Sequence, residues 1–321
     1  MERIIDGILF TGQRVDNCFD VRTWVCNGVM ERSARPVIEW EEVGPYIPPL
    51  PWDEYIAQFD HDPEKQARYE KQRLEEEEEK RLKSLKKSAS RAKTMCRRFI
   101  ISEGFDEMLT LTYRENQRDR ALCKRHFKEW VRRMKRALGS FRYCASFEAQ
   151  ERGSMHVHCA TNRLPKHADY KGVKIKAWEL GTKIWRDIIG AYEFVGPLRP
   201  GEAFPELSNG LCFVGAAPSK WGGDKRRKNL TLAKMANYVS KYILKDFDQA
   251  PEESNRYSRS NGKPAGDVYT IRMHAPLCEV IAACFEVKDG DVMVSHRVGK
   301  WSDSWWLCTE ADIKKPACAG L

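Results

Sequence analysis

The chain has 321 residues, 42% of them hydrophobic, and a formal charge of +9, which suffices for one large or two small domains with a packed core. It contains no run of eighteen apolar residues, and the apolar stretch at residues 1–10 carries charges, so we expect no membrane span, no signal peptide and a cytoplasmic location. The eleven cysteines form no C-x-x-C pair, which disfavours a disulfide framework or a zinc finger and predicts reduced thiols.

Lysine and arginine are concentrated in two parts of the chain. Residues 91–142 carry fifteen of them against six acidic residues, and residues 220–245 carry eight against one. Residues 31–62 show the reverse, with two basic and eight acidic residues. Basic clusters of this kind are typical of a surface that binds a polyanion, and they also occur on solvated helix faces. We favour the polyanion interpretation because the two basic segments flank the motifs described below.

The first hundred residues divide into two parts. Residues 1–62 hold scattered Trp and Cys and a proline-rich stretch at 45–51 that predicts an extended connector. We therefore expect this segment to be an accessory subdomain or to be partly disordered. Residues 63–101 are dense in Glu, Lys and Arg and contain no Gly, which predicts a long charged helix with i,i+4 ion pairs. Such a helix would be a solvated linker or an arm on DNA.

From residue 102 onward, short strands and helices alternate. Apolar residues at every second position predict strands over 108–113, 141–148, 155–161, 211–214 and 268–273. Helical spacing predicts helices over 119–138, 177–189, 230–247 and 276–284. Hairpins mixed with helices indicate an α+β fold with a central antiparallel sheet flanked by helices. We place this domain at 102–275 and treat 276–321 as a C-terminal extension.

A His-x-His pair lies on the strand predicted over 155–161. Alternate side chains of a strand face the same way, so His156 and His158 should project together and could hold one divalent metal. A third ligand would come from a neighbouring element. Glu148 at the end of the preceding strand is the first choice, and Asp106 or Glu107 is the alternative. The other interpretation is a pair of half-exposed strand histidines that bind nothing.

Two tyrosines and two lysines share one stripe of the helix predicted over 230–247. At about 100° per residue, Tyr238, Lys241, Tyr242 and Lys245 fall together and away from the apolar arc, which predicts that they line an exposed side. The opposite, core-facing arc holds Leu232, Met235, Ala236, Val239 and Ile243. The alternative is a tyrosine pair packed in a surface groove beside solvated lysines.

The two motifs together suit phosphodiester cleavage, which needs a nucleophile, charge neutralisation and positioning. Tyr238 or Tyr242 would supply the nucleophile, and a metal on the histidines would polarise the phosphate. Lys241 would stabilise developing negative charge or lower the tyrosine pKa. The DNA backbone would be held by basic residues. Those we select are Arg152, Lys225, Arg226, Arg227, Lys228 and Lys245.

The motifs also carry a family resemblance. The strand over 108–113, the run from Glu148 to His158 and the run N-Y-V-S-K-Y-I over 237–243 resemble, in this order, the three motifs of rolling-circle replication (Rep) proteins of the HUH endonuclease superfamily. The two-tyrosine run is similar to that of replication proteins from single-stranded DNA bacteriophages. The resemblance covers residues 105–275 and leaves the first hundred residues and the C-terminal tail unexplained.

The resemblance implies a sheet of ferredoxin or RNA-recognition-motif type, Mg²⁺ or Mn²⁺, and a 5′-phosphotyrosine intermediate formed on single-stranded DNA at a replication origin. By the same resemblance a host polymerase would extend the free 3′-hydroxyl. No Walker motif is present, so a host helicase would unwind the duplex. We expect Tyr238 to attack first, with Tyr242 as second nucleophile or packing residue. Alternatives are a non-catalytic DNA regulator that binds an origin or hairpin on the same scaffold, and a transposase or relaxase of the same superfamily.

Overall fold

The structure is a computed structural model of the chain. It describes residues 1–59, 62–113, 116–151, 153–170, 172–190, 212–214, 231–245, 255–286, 291–299 and 304–311. The chain forms two compact units, one of residues Met1–Ser84 with Gly266–Leu321 and the other of Leu85–Ala265.

The helices and strands are numbered in chain order. The strands are β1 (Glu2–Ile5), β2 (Ile8–Cys26), β3 (Val29–Pro45), β4 (Glu107–Thr112), β5 (Tyr143–Ala149), β6 (Met155–Thr161), β7 (His167–Tyr170), β8 (Val173–Lys176), β9 (Cys212–Val214), β10 (Tyr257–Arg259), β11 (Asp267–His274), β12 (Asp291–Val298) and β13 (Trp305–Ala311). The helices are α1 (Trp52–Ala57), α2 (Pro63–Glu103), α3 (Arg120–Leu138), α4 (Ala177–Ile189), α5 (Leu232–Lys245) and α6 (Leu277–Glu286).

The unit of residues 85–265 is built on a five-stranded sheet in the order β10-β5-β6-β4-β9, with every neighbouring pair antiparallel. Its elements β4, α3, β5, β6, α4 and β9 follow one another as β-α-β-β-α-β, the sequence of elements in ferredoxin-like folds. The α+β fold class with an antiparallel sheet flanked by helices, expected from the sequence, is thus confirmed.

One face of this sheet forms the core with α3 and α4. The apolar side chains of β4, β5 and β6, among them Phe147 and Val157, pack with Phe127, Trp130 and Trp185 of the two helices. Both buried indoles find an acceptor: Trp130 Nε1 donates to the carbonyl of Gly181 at 2.9 Å, and Trp185 Nε1 donates to that of Thr112 at 2.7 Å. These bonds satisfy the polar ends of two large apolar side chains, so the indoles can be fully buried.

The other face of the sheet meets α5 and the C-terminal part of α2. Helix α5 lies over β5 and β6. The α2 residues Cys96, Phe99 and Ile100 are completely buried, and the Cys96 thiol lies 3.5 Å from that of Cys144 on β5. Both cysteines are free thiols, as the sequence predicted.

The other unit contains a six-stranded sheet, in which β1-β2-β3-β13-β12 are neighbours in that order and β11 pairs with β2. The long hairpin of β2 and β3 turns at Asn27 and Gly28, both with positive φ (48° and 71°), as a two-residue turn between twisted strands requires. Its core holds Phe19, Trp305 and Leu307 together with Val280 of α6.

This unit differs from the division expected from the sequence. Residues 1–62 are not partly disordered, since 1–45 supply three strands of the sheet. The segment 276–321 is not a separate extension, because β12 and β13 complete the same sheet. The strand expected at 268–273 was placed in the domain at 102–275, but β11 pairs with β2 from Asp267↔Val25 to His274↔Cys18. Partners some 250 residues apart leave no local pattern that would reveal the pairing.

Helix α2 agrees closely with the prediction of a long charged helix at 63–101. Its first half carries the expected ion pairs four residues apart, such as Lys71–Glu75 at 3.9 Å and Lys83–Glu79 at 2.6 Å. These side chains are mostly exposed, so each pair stabilises the helix only slightly. Of the helices described in the structure, none is long and apolar enough to cross a membrane.

Asp119 caps helix α3, and its contribution should depend on pH. Its carboxylate accepts hydrogen bonds from the backbone amides of Leu122 at 3.0 Å and Ala121 at 2.7 Å, and these bonds hold the pKa of Asp119 below its usual value. We expect Asp119→Ala to lower the free energy of unfolding at neutral pH. The difference from wild type should be complete above the unfolded pKa of about 3.9 and vanish as the pH falls through the lower folded pKa.

Urea denaturation at a series of pH values measures this difference. Asp169→Ala, which removes an exposed carboxylate from β7, is the matched control. A deficit of Asp119→Ala that stays constant across the acid range would show that the charged cap does not stabilise the helix.

Candidate active site

Three of the predicted site residues meet on the face of the sheet that α5 covers. In the β5–β6 hairpin Glu148 is directly opposite His156, and Ser146 is opposite His158. Because side chains alternate along a strand, Val157 between the two histidines points into the core on the other face. His158 and Glu148 are 4% and 9% exposed, so their polar atoms need partners within the protein.

Glu148 is bound by two partners on different elements. Its Oε2 lies 2.9 Å from Nε2 of His158, and its Oε1 accepts a hydrogen bond from Nζ of Lys245 at 2.8 Å. Burial alone would raise the pKa of Glu148, but the hydrogen bonds with His158 and Lys245 outweigh burial and leave that pKa below its usual value. Glu148 is therefore held as a carboxylate at neutral pH.

The alternative carboxylates lie elsewhere. Asp106 accepts the backbone N–H of Arg163 at 2.6 Å, and Glu107 accepts that of Leu164 at 2.7 Å. These bonds cap the chain where it leaves β6, at the end of the strand away from His156. Glu148 is thus the predicted third ligand that the fold brings to the histidines.

Two neighbours of the histidines were missed in the sequence. Thr110 Oγ1 lies 3.4 Å from Nδ1 of His158, and Gln150 Nε2 lies 3.3 Å from Nδ1 of His156. Thr110 is opposite His158 in the β4–β6 register, which could be foreseen only once the strand pairing was known. Gln150 follows Glu148 by two residues, so strand alternation was a signal that could have identified it.

Both tyrosines of α5 contact His158. The ring of Tyr242 is stacked on the imidazole, with centroids 4.4 Å apart and an angle of 13°, while Tyr238 meets it edge-on at 5.5 Å and 87°. The two tyrosine rings are 5.3 Å apart. The helix therefore positions two phenols beside the imidazole of the His-x-His pair.

The prediction that this stripe of α5 is an exposed side is wrong for Tyr242, which is 7% exposed. The stripe faces a sheet surface that is itself polar, so an uncharged aromatic stripe can pack there as the apolar arc does elsewhere. Burial, the hydrogen bond with Tyr238 and the negative charge of Glu148 all raise the pKa of Tyr242. Tyr238 is only partly buried.

The two lysines of the stripe have different surroundings. Lys241 is exposed, and its Nζ lies 4.3 Å from the ring centroid of Tyr238 and 4.7 Å from that of Tyr242, within range of cation–π attraction. Lys245 was predicted to contact DNA, but here its ammonium binds the carboxylate of Glu148. The other predicted DNA contacts lie outside the described residues. They are Arg152, Lys225, Arg226, Arg227 and Lys228.

The donors on this face are of the type that binds a divalent metal. His156, His158 and Glu148 provide two imidazoles and a carboxylate at adjacent positions of one hairpin. The hydroxyl of Ser146, opposite His158, is buried and has no hydrogen-bond partner among the described residues, as befits a place that a ligand or water occupies. The present arrangement is not a closed metal site: among the described residues, no three His, Cys, Asp or Glu side chains are grouped to hold a metal.

Comparison with known families gives one match. Residues 106–247 match the family model of the replication-associated protein ORF2. The match supports a replication initiator that interacts with DNA, and the matched segment includes every residue of the face described above. No curated protein and no solved structure matches the chain.

The bond between Lys245 and Glu148 can be tested by a pair of substitutions on one helix. Lys245→Met removes one of the two partners of a buried carboxylate, and we expect the free energy of unfolding to fall by about 1–2 kcal/mol, a range reduced because Lys245 is itself half-exposed. Lys241→Met makes the same change where no carboxylate is bound and should cost only about 0.5 kcal/mol. Urea denaturation measures both, and equal losses would show that the Lys245–Glu148 pair does not stabilise this face.

Proposed function

We propose that the protein is a metal-dependent endonuclease that cleaves single-stranded DNA with a tyrosine and thereby initiates rolling-circle replication. The observation that carries this proposal is the contact of Tyr238 and Tyr242 with His158, on the face that also holds Glu148, His156 and Lys241. The family match over residues 106–247 supports the replication role. The cleavage chemistry is inferred from the residues that meet there.

Tyr238 is the better first nucleophile. The phenol of Tyr242 is buried against His158 and its pKa is raised, so it is both less accessible and harder to ionise. Tyr238 is partly exposed, in edge contact with the same imidazole. Its Oη would form a bond to phosphorus while the bond to the 3′-oxygen breaks. The products would be a 5′-phosphotyrosine and a 3′-hydroxyl from which a polymerase of the host could extend.

Lys241 is placed to assist either tyrosine. An ammonium near both rings favours the phenolate over the phenol and offsets the negative charge that develops on the phosphate. Because Lys241 is at a similar distance from both rings, it could serve two successive transfers. A second attack by Tyr242, after movement of its ring from His158, would rejoin the displaced strand into a circle.

His156, His158 and Glu148 would hold Mg²⁺ or Mn²⁺, which when bound supplies positive charge to the scissile phosphate. Lys245 would then act by fixing the Glu148 carboxylate, and Thr110 and Gln150 by fixing the orientation of the two rings. Glu148 would exchange its contact with His158 for ligation. The origin sequence recognised is open.

A covalent-adduct assay tests the nucleophile. The full chain is mixed with labelled circular single-stranded DNA and Mn²⁺, run on a denaturing gel, and the modified residue is mapped by mass spectrometry. We expect an adduct on Tyr238 in the wild type and in Tyr242→Phe, and none in Tyr238→Phe. Tyr269→Phe, at an exposed position of β11, is the control and should react as wild type does. Absence of an adduct from a folded protein that binds this DNA would favour the non-catalytic regulator.

The metal is tested separately by the double variant His156→Ala/His158→Ala. We expect it to bind Mn²⁺ more than about tenfold more weakly in calorimetry, because the loss of groups that merely support ligands already costs that much in metal sites, and to form no adduct while still binding DNA. His296→Ala, on an exposed position of β12, is the control. A double variant that cleaves at the wild-type rate would overturn the assignment of these histidines.

A further inference from the structure

A groove runs along helix α3 on the face of the sheet opposite to the tyrosines. Its volume is about 630 Å³, within the range of sites that hold a small molecule or a nucleotide. Side chains from α3, β5 and the segment 255–262 line it. They include Lys124, Lys128, Phe147, Asn255, Tyr257 and Arg259.

The groove is positively charged. Three of its lining residues are Lys or Arg, and none of the described residues that line it is Asp or Glu. Lys124 donates to the carbonyl of Asn255 at 2.7 Å, which keeps its ammonium at the groove. Burial and the nearby charges of Arg120 and Arg256 lower the pKa of Lys124. Like charges held close together in this way would be relieved by a bound anion.

The uncharged part of the lining suits a nucleobase. The ring of Tyr257 is partly exposed, and Asn255 and Asn261 are exposed amides at the two ends of the segment. Cations for phosphate, an aromatic ring for stacking and amides for base edges are the features of sites that bind single-stranded nucleic acid. A volume of this size admits one or two nucleotides and excludes a duplex.

The groove borders the candidate active site through a single strand. Phe147 lines the groove, and the next residue, Glu148, lies on the opposite face beside His158. In the described part of the chain, β10 pairs with β5 only from Cys144 to Ser146. An extended strand could therefore pass over the sheet edge near Phe147, from one face to the other.

We propose that this groove binds the segment of single-stranded DNA that flanks the cleaved phosphate. The proposal rests on the proposed function, because it takes the DNA at the tyrosines as the source of that segment. Lys124 and Lys128 hold its phosphates, and Tyr257 stacks on a base. The groove thus adds a second point of attachment, distinct from the basic residues 225–228.

The test uses the full chain carrying Tyr238→Phe, so that DNA is bound without being cleaved by that residue. Lys128→Ala removes an exposed charge from the groove, and Lys135→Ala removes an exposed charge from the same helix away from it. Binding of a fluorescent single-stranded oligonucleotide is followed by anisotropy over a range of salt concentrations. Loss of one phosphate contact should reduce the slope of log K against log[salt] by about 0.7, which weakens binding about fivefold at about 0.1 M salt. Lys135→Ala should bind as the parent does.

A crosslinking experiment locates the bases. Oligonucleotides carrying 5-iododeoxyuridine at successive positions are bound and irradiated, and the crosslinked peptide is identified by mass spectrometry. We expect a crosslink at Tyr257 from a position close to the cleavage site, and its loss when Tyr257 is replaced by Ala. Crosslinks confined to other parts of the chain, or equal affinity and salt slope for Lys128→Ala and Lys135→Ala, would overturn the proposal.

The two proposals fail in different ways. If the wild type forms the tyrosine adduct but Lys128→Ala binds DNA as well as Lys135→Ala does, the groove assignment is wrong and the nuclease assignment stands. If no adduct forms but binding of single-stranded DNA depends on Lys128 and crosslinks to Tyr257, the groove stands and the nuclease assignment is wrong. Equal dependence of duplex and single-strand binding on Lys128 would overturn the restriction to single strands.

Discussion

The buried carboxylate of Glu148 is the feature on which the arrangement of this face depends. A charge at this position must be paired, and its two partners come from different elements: His158 from the adjacent strand and Lys245 from the last turn of α5. The hairpin alone brings His158 into range. Lys245 reaches Glu148 only if α5 lies across the sheet in one orientation, and that orientation sets Tyr238 and Tyr242 against His158. A single ion pair therefore links the histidine motif to the tyrosine motif.

This arrangement makes two chemically identical side chains different. Tyr242 is stacked on the imidazole and buried, whereas Tyr238 meets the same ring edge-on and stays partly exposed. One helical turn separates them, so each sees the sheet from a different height. The order of attack that we propose follows from this difference in burial. It does not follow from any difference in the lysine, which lies at nearly equal distances from both rings.

Features set by local sequence could be predicted, and features set by distant pairing could not. Strand alternation was enough to place His156 and His158 on one face and Glu148 beside them, and helical spacing was enough to define the stripe of α5. The sequence did not reveal that the stripe is covered by the sheet, because an aromatic and lysine-rich arc resembles a solvated one until its partner surface is known. Likewise, the pairing of β11 with β2 joins residues that are close only in the folded unit.

The two faces of strand β5 give the proposed DNA path a physical basis. Phe147 faces the groove beside α3, and Glu148 faces the tyrosines, so the alternation of one strand separates a binding surface from a cleavage surface by the thickness of a sheet. A duplex is too wide and too stiff to bend around such an edge within a few nucleotides, whereas a single strand rotates freely about its backbone bonds. On this path, selectivity for single strands would come from the geometry of the sheet edge as well as from contacts with the bases. Cleavage would then require unwinding first, which agrees with the need for a helicase from outside this chain.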